Sequence, residues 1–364
     1  MSLAVFSAAV AGCGGSGRSE ASEKVAAQTA TSDLAALATT AKGEGTLTIY
    51  TAIQTEQMQP WVKKFTDKYG VKVQIQRQSS ATLGTTFQTQ QQAGKNQADL
   101  LETSNMGQME DFQKKGWLAQ YTPQSADLYP ADRVIDGYMY PLYQSNGAIA
   151  WNTELVSPAV QEKLAANPYD GLLDPSLKGK IVLIDPGNGG SGMAYYANLV
   201  YNLGDDYGWP YLEKLAAQKP AVATSIATIS QQVSAGTYYA TDFGDEAVFG
   251  PLAMKGAPLR FSSLPVMNAT QFLQVIPKDA PHPAAARLFS EWSSSLEGQE
   301  AMTASTGGES SIKGWTENVE YAEKFDWYKA PTESWLEWRT DPRLRGDKLQ
   351  EFVAKWNSIF GVPS

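Results

Sequence analysis

Apolar and polar residues in the first third of the chain follow two alternating periods. Residues 46–50 alternate in the manner of a half-buried strand, and residues 71–75 and 98–103 form two further strand-like runs. Apolar residues recur at helical spacing over residues 58–69, and a glutamine-rich helical stretch covers residues 81–93. This succession of strands and helices predicts a parallel sheet with helices on its faces.

Polar residues follow each of these strands at its carboxyl end. Ligands of parallel α/β sheets bind in the crevice outside those ends, so the three exits are expected to line one site. The candidate residues, which would offer hydroxyl, amide and backbone donors, are Thr51, Ala52, Ser79, Ser80, Thr103 and Asn105. For each hydroxyl the alternative role is a helix cap or a turn.

A second strand–helix series follows a looser, aromatic-rich stretch. Its predicted strands are residues 147–152, 181–184, 237–241 and 271–276. After the strand at 181–184, a Pro/Gly/Asn cluster leads to Ser191, which stands at an expected helix N-cap. A helix entered through glycines presents free N–H groups and the positive end of its dipole. Gly190, Ser191 and Gly192 are therefore anion-binding candidates, although the stretch matches neither a P-loop nor a full dinucleotide fingerprint.

Composition excludes several classes of protein. At 364 residues the chain suits two domains that share a cleft. A net charge of −9 without a basic block argues against a nucleic-acid partner and against broad binding to acidic membranes. With one His and one Cys, a zinc cluster, a disulfide framework and a Ser–His or Cys–His pair all lack parts. The histidine, His282, lies between two prolines and is predicted to occupy an exposed turn.

The single cysteine, Cys13, ends a short apolar run. The run is too short to cross a bilayer and is typical of a secretory signal. Residues 10–13 resemble a bacterial lipobox, whose cysteine becomes the lipidated first residue of the mature protein; the alternative is a chance apolar run with an inert cysteine. Residues 1–13 are thus interpreted as a partial lipoprotein signal peptide, and residues 14–43, rich in Ser, Ala, Gly and Thr, as a flexible tether.

An ordered series of short segments carries a family resemblance. The segments include Leu-Thr-Ile-Tyr-Thr-Ala at 47–52 and Ala-Trp-Asn-Thr at 150–153, and the others are residues 65–73, 93–99, 172–181, 236–240 and 285–299. The series, spanning residues 44 to about 305, resembles the extracellular solute-binding proteins of ABC importers. Within that group it is similar to the ferric-iron-type branch, which also contains phosphonate, sugar-phosphate and thiamine binders.

The resemblance implies an α/β fold of the periplasmic-binding-protein type II kind. Two lobes, each a mostly parallel sheet flanked by helices, would be joined by crossing strands near residues 148–152 and 264–272. Lobe one would comprise residues 44–148 and 268–364, with the C-terminal helices included, and lobe two residues 149–267. The protein would clamp a ligand between the lobes by a hinge motion and dock on a membrane permease.

The resemblance also implies the role and the location of the protein. The chain would be a binding protein rather than an enzyme, a monomer without a cofactor, and ferric iron would be cargo if it binds at all. It would lie outside the cytoplasm, on the outer face of a bacterial cell membrane or in the periplasm. Contact with the membrane would be through a lipid on Cys13 only.

Mapping the cleft on this resemblance adds residues near the crossing and in lobe two. Tyr143 and Trp151 would form an aromatic wall, for which core packing is the alternative. Asp242, Phe243 and Asp245 would face the helix at Ser191 from a strand exit; the acids could instead cap a helix or lie in solvent.

The ligand is left open between three chemistries. Ferric iron is usually held in this branch by paired tyrosines and a carboxylate, and the candidates are Tyr195, Tyr196, Tyr238, Tyr239 and Glu246. The family's tyrosine pair should fall near residues 245–246, so the iron motif departs from the pattern. A phosphonate or phosphate ester fits Ser191 and the lobe-one hydroxyls. A polyamine- or thiamine-like cation fits Asp242 and Asp245 through charge pairing and cation–π contact.

A competing class of function is hydrolysis by Ser191 as nucleophile. Such an enzyme needs a base, and the only histidine lies far along the chain beside two prolines. No motif supports a carboxylate or lysine base in its place. The sequence therefore favours binding over catalysis.

Overall fold

The fold is given by a computed structural model. It describes residues 34–131, 134, 136–188, 190–203, 207–262, 266–313, 315, 320–329, 333–335 and 341–363. The predicted signal peptide, Cys13 and the first part of the predicted tether lie outside these residues.

Helices and strands alternate along most of the described chain. The helices are α1 (Leu34–Glu44), α2 (Thr55–Tyr69), α3 (Ser80–Gln92), α4 (Met106–Lys114), α5 (Pro158–Ala166), α6 (Pro168–Leu172), α7 (Gly190–Tyr201), α8 (Trp209–Ala217), α9 (Ile226–Ser234), α10 (Glu246–Met254), α11 (Pro283–Ser294), α12 (Leu296–Thr306), α13 (Glu320–Lys324) and α14 (Gly346–Phe360). The strands are β1 (Thr46–Thr51), β2 (Lys72–Arg77), β3 (Leu100–Thr103), β4 (Leu118–Ala119), β5 (Tyr140–Asn152), β6 (Ile181–Ile184), β7 (Ala221–Ala223), β8 (Ala240–Asp245), β9 (Leu259–Ser262), β10 (Val266–Pro277) and β11 (Glu333–Trp335).

The strands form one continuous sheet that runs through two lobes in the order β2-β1-β3-β10-β5-β8-β6-β7. In lobe one β1 pairs in parallel with β2 and β3, and in lobe two β6 pairs in parallel with β7 and β8. The long strands β5 and β10 are antiparallel to each other and cross between the lobes. The predicted fold class, two mostly parallel α/β lobes joined by crossing strands, is confirmed.

The core of lobe one lies on both faces of its sheet, because side chains along a strand alternate between faces. Ile49 belongs to the apolar cluster under α2, α11 and α12, whereas its neighbour Tyr50 belongs to the cluster under α3 and α4. Trp61 anchors the first cluster, with its ring 5.0 Å from that of Phe289. Its indole N–H donates to the carbonyl of Gly298 at 3.0 Å, so this buried polar atom is satisfied.

The C-terminal helix α14 packs on lobe two. The ring of Trp356 lies 5.2 Å from that of Tyr196 in α7, and Phe352 is buried in the same apolar cluster. The predicted assignment of the C-terminal helices to lobe one is therefore wrong for residues 341–363. An amphipathic pattern shows that a helix has an apolar face, but it does not show which lobe covers that face.

Helix α1 lies within the segment predicted to be a flexible tether, and for residues 34–43 that prediction is wrong. Ala41 is fully buried against lobe one. The carboxylate of Glu44 accepts the N–H groups of Ala284, at 2.9 and 3.1 Å, and of Ala285, at 2.9 Å. The composition of the segment is that of a linker, yet these tertiary contacts stabilise it as a helix.

We expect Glu44→Ala to lower the free energy of unfolding by about 1–2 kcal/mol, because it leaves two N–H groups at the start of α11 uncapped and removes a negative charge beside the helix dipole. Glu44→Gln should cost less, since it loses the charge but keeps an acceptor. Urea denaturation measures both. Glu300→Ala, at an exposed position of α12, is the control. An equal effect of the two alanine variants would show that Glu44 does not cap α11.

His282 was predicted to occupy an exposed turn; it does lie directly before α11, but it is partly buried. Its ring Nδ1 lies 2.9 Å from Oδ2 of the buried Asp99, and its backbone N–H donates to Oδ1 at 2.6 Å. The same carboxylate accepts the N–H of Thr48 at 2.7 Å. The histidine thus joins the start of α11 to two strands of lobe one.

Candidate functional site

A cleft separates the lobes at the carboxyl ends of their parallel strands, where ligands of such sheets bind. It encloses about 710 Å³, including space open to solvent. The space that the centre of a water-sized sphere can reach within it is about 100 Å³, below the roughly 300–1,000 Å³ of drug-sized ligand pockets, so the cleft suits a small ligand.

Part of the predicted site lines this cleft. The predicted residues found there are Ala52, Ser79, Ser80, Tyr143, Gly192 and Asp245. Gly190 and Ser191 open α7 beside Gly192, but the side chain of Ser191 lies outside the described part of the structure. The strand exits were therefore the correct place to look for the cleft.

Three predicted hydroxyl and amide donors of lobe one serve the backbone instead of the cleft. The hydroxyl of Thr51 accepts the N–H of Ile53 at 3.1 Å, and that of Thr103 accepts the N–H of Asn105 at 3.1 Å. The side chain of Asn105 in turn caps α4 by accepting the N–H of Gln108 at 3.3 Å. These are turn and cap contacts, and none of the three residues lines the cleft.

Two predicted aromatic contacts are core residues of lobe two. Trp151 is fully buried, and the guanidinium of Arg260 lies 5.9 Å from its ring. Phe243 is also buried, with its ring 5.2 Å from that of Tyr195. Neither residue lines the cleft, because both face inward from their strands and not toward the strand exits.

Asp242 is likewise buried inside lobe two. It accepts the hydroxyl of Tyr196 at 2.7 Å, and burial raises the pKa of its carboxyl to about 7. The Tyr195 hydroxyl is buried as well, without a hydrogen-bond partner among the described residues. This acid and this tyrosine pair therefore form a structural group away from the cleft.

The other metal-ligand candidates also lie outside the cleft. Tyr238 and Tyr239 precede β8, which begins at Ala240, and Lys180 Nζ lies 4.4 Å from the Tyr239 ring. Glu246 accepts the hydroxyl of Tyr328 at 3.1 Å. Within the described ranges no three His, Cys, Asp or Glu side chains are grouped so that they could hold a metal ion. The residues predicted for iron are thus not brought together.

Several helices point their N-termini at the cleft. Gln54, Ser79 and Ser225 line it at the N-cap positions of α2, α3 and α9, and Gly192 lies in the first turn of α7. Each helix N-terminus carries a partial positive charge and free N–H groups. Their convergence makes the cleft attractive to an anion.

Arg77 adds a full positive charge. It is the last residue of β2 and lines the cleft, and its guanidinium makes no hydrogen bond with a described residue. Partial burial lowers its pKa, and the nearby Glu56 partly offsets that effect. Arg77 was not among the residues predicted from the sequence, although its place just before the predicted Ser79 exit was a usable signal.

A carboxylate lies at the hinge end of the cleft. Asp245 is 8 % exposed, and its Oδ1 accepts the hydroxyl of Ser145 and the N–H of Ala247, the latter at 3.0 Å. Its Oδ2 has no hydrogen-bond partner among the described residues. Burial raises the pKa of this carboxyl to about 6. A second acid, Asp185, lines the cleft after β6 and accepts the N–H of Gly187 at 2.7 Å.

The floor of the cleft is aromatic where the strands cross. The rings of Tyr143 and Phe272 stack with centroids 4.8 Å apart and an interplanar angle of 5°. Phe272 was missed, since its alternating strand pattern indicated only core packing. Beside this floor, Gln57 of lobe one donates to the Ala247 carbonyl of lobe two at 2.9 Å, which links the lobes directly.

A family model agrees with this architecture. The model of the bacterial extracellular solute-binding proteins matches residues 51–300. The chain belongs to this family. A bacterial extracellular solute-binding protein captures small ligands outside the cytoplasm for an ABC transporter, and it is not an enzyme. The hydrolase alternative at Ser191 is therefore set aside.

Several solved structures of similar fold are described as periplasmic binding proteins. The periplasmic binding protein P5PA is 20 % identical, with 87 % of this chain and 99 % of that chain covered at a TM-score of 0.69. AfuA from Actinobacillus pleuropneumoniae, solved with fructose-6-phosphate, is 19 % identical over 88 % and 99 % at 0.67. Iron-bound HitA from Pseudomonas aeruginosa is 18 % identical over 86 % and 99 % at 0.65. At these identities the likeness shows the fold alone. No curated protein sequence matches this solute-binding protein.

Within the described part of this solute-binding protein, no helix has both the length and the apolar character needed to cross a bilayer.

Proposed function

We propose that this solute-binding protein captures a small phosphonate- or phosphate-type anion in its interlobe cleft and delivers it to an ABC permease. The observation that carries the proposal is the convergence of helix N-termini with Arg77 on one cleft. Free N–H groups and a planar guanidinium are the donors that phosphoryl oxygens accept from most readily.

The hydroxyls of the cleft support the same chemistry. Ser80 follows β2 and Ser104 follows β3, the strands on either side of β1, and their Oγ atoms lie 3.1 Å apart. Ser225 lies at a strand exit of lobe two. Such groups accept or donate hydrogen bonds at little desolvation cost, so they can surround an anion from both lobes. The fructose-6-phosphate in the similar AfuA structure is an anion of this class.

Ferric iron is the weaker candidate for cargo. Iron-bound HitA shares the fold, but the tyrosines and acids predicted to hold iron here lie in the core or outside the cleft. A ferric ion would have to enter as a complex with an anion that the helix N-termini bind. A lipid anchor on Cys13 and a monomeric state remain predictions from the sequence.

A thermal-shift panel followed by calorimetry tests the proposal. The panel contains inorganic phosphate, methylphosphonate, glycerol 3-phosphate, fructose 6-phosphate, ferric citrate, putrescine and thiamine. A tight ligand raises the melting temperature by mass action. We expect phosphoryl compounds to stabilise the protein, and Arg77→Gln to weaken their binding about 10- to 100-fold through loss of charge-assisted hydrogen bonds.

Two controls make the outcome specific. Arg77→Lys keeps the charge and should retain part of the affinity, and Arg287→Gln removes a lobe-one arginine that does not line the cleft and should change nothing. Stabilisation by putrescine or thiamine alone would overturn the proposal. So would a coloured ferric complex whose affinity is indifferent to Arg77.

A further inference from the structure

A carboxylate is unexpected in a cleft proposed to bind anions, even one that caps a helix. Asp245 is buried to more than nine-tenths, yet it lines the same cleft as Arg77. Placed near a phosphonate or phosphate, its charge would repel the ligand. A carboxylate that lowers affinity for the whole ligand must have a favourable partner elsewhere in that ligand.

The fold does not need both oxygens of Asp245. The hydroxyl of Ser145 and the N–H of Ala247, which begins α10, both donate to Oδ1. An asparagine would serve these two contacts equally well, because it is an equally good N-cap. Oδ2 makes no hydrogen bond among the described residues. It is not among the fully buried polar atoms that lack a partner, so it is accessible from the cleft. The charge on this oxygen is thus free for a ligand.

We propose that the hinge end of the cleft binds a cationic group at Asp245 Oδ2, so that the ligand is a zwitterion with its phosphonate or phosphate at one end and a protonated amine at the other. This inference rests on the proposed anion-binding function and narrows its substrate class.

The strand order separates the two poles. Arg77 ends β2, the outermost strand of lobe one, whereas Asp245 ends β8, next to the crossing strand β5. Five strand positions separate β2 from β8 in the sheet order, so the two charges line different parts of the cleft. The two poles therefore favour a ligand whose charges stand at opposite ends of a chain over one whose charges are on adjacent atoms.

An aromatic surface completes the cationic pole. Tyr143 lines the cleft and stacks on Phe272. Tyr143 and Asp245 line the same cleft. Burial raises the pKa of the Tyr143 hydroxyl, and the charge of Asp245 adds to this effect. An ammonium group between a carboxylate and a tyrosine ring gains both charge pairing and cation–π attraction. Asp185, on the same lobe, adds a second negative charge.

The test compares matched ligands that differ by one amine. Calorimetry measures propylphosphonate and 3-aminopropylphosphonate on the wild type, Asp245→Asn and Arg77→Gln. The wild type should bind the amino compound at least about tenfold more tightly. Asp245→Asn should abolish that difference without weakening propylphosphonate, whereas Arg77→Gln should weaken both compounds by a similar factor. Asp170→Asn, at an exposed acid of α6, is the control and should leave all affinities unchanged.

The outcomes separate this inference from the proposed function. Equal affinities of the two phosphonates in the wild type, with a loss of both in Arg77→Gln, would overturn the zwitterion and leave the anion site in place. An amine advantage that survives in Asp245→Asn would place the cationic pole elsewhere and overturn the assignment. If neither phosphonate binds the wild type and no member of the earlier panel depends on Arg77, both proposals fall together. A cooperative melting transition of Asp245→Asn at or above the wild-type temperature verifies that its fold is intact.

Discussion

Replacing Trp356 with alanine is expected to lower the free energy of unfolding by about 3–5 kcal/mol, the usual cost of removing a buried tryptophan. Its side chain is fully buried, with ring centroids 5.2 Å from Tyr196 and 4.5 Å from Phe360. Alanine would leave a cavity between α14 and α7 and remove the main apolar contact that holds the C-terminal helix on lobe two. Urea denaturation followed by circular dichroism measures the loss.

A conservative variant and a local probe complete this test. Trp356→Phe keeps most of the ring contacts and removes an indole N–H that has no hydrogen-bond partner among the described residues, so it should cost under about 2 kcal/mol. In Trp356→Ala, hydrogen exchange should accelerate in α14 and α7 while α2 of lobe one keeps its protection. Equal acceleration in α2 would contradict the placement of α14 on lobe two.

At pH 8, Glu102→Gln is expected to stabilise the protein by about 2–4 kcal/mol. Glu102 is completely buried in β3, and neither carboxylate oxygen forms a hydrogen bond among the described residues. Burial raises the pKa of this carboxyl from 4.5 to about 8. Between these values the folded state binds the proton that the unfolded state has lost, so the stability of the wild type falls as the pH rises through that window. Glutamine resembles the neutral acid and avoids that loss.

The pH profile distinguishes this effect from ordinary repacking. Below about pH 4.5 the variant and the wild type should have similar stabilities, and the gap should widen up to about pH 8. Chemical denaturation at several pH values between 4 and 8.5 measures the gap. Asp242 and Asp245 have raised pKa values of about 7 and about 6, so a smaller decline should persist in the variant. Parallel profiles would show that Glu102 does not remain protonated in the folded protein.

Local patterns were enough to predict most of the fold. Strand and helix periods are set by neighbouring residues, so the strand–helix order of both lobes follows from them. The start of β8 was misplaced because an apolar run does not fix where a buried strand begins. Asp242 lies inside that strand, where its carboxylate accepts the hydroxyl of Tyr196, 46 residues away. A pattern among neighbouring residues in the sequence does not reveal a partner this far away.

The site was predicted in position but not in side-chain direction. Ser79 and Ser80 lie at a strand exit and reach the cleft, whereas Thr51 at the next exit turns its hydroxyl to the backbone. The difference depends on turn geometry that residue type alone does not determine. Arg77 is the opposite case. A charged residue beside a strand is usually assigned to solvent, but this one lines the cleft. Its approach to the cleft follows from the meeting of two lobes distant in sequence.

The position of α14 on lobe two has a consequence for how the chain acquires its fold. Neither lobe is a continuous piece of sequence: lobe one needs contacts such as that of Trp61 with Gly298, 237 residues later, and lobe two needs Trp356. Closing loops of this length lowers the conformational entropy of the chain before the long-range contacts can compensate, and this slows folding. A chain made from its N-terminus can nucleate early strands, but lobe two gains a closed core only when its last helix has been synthesised.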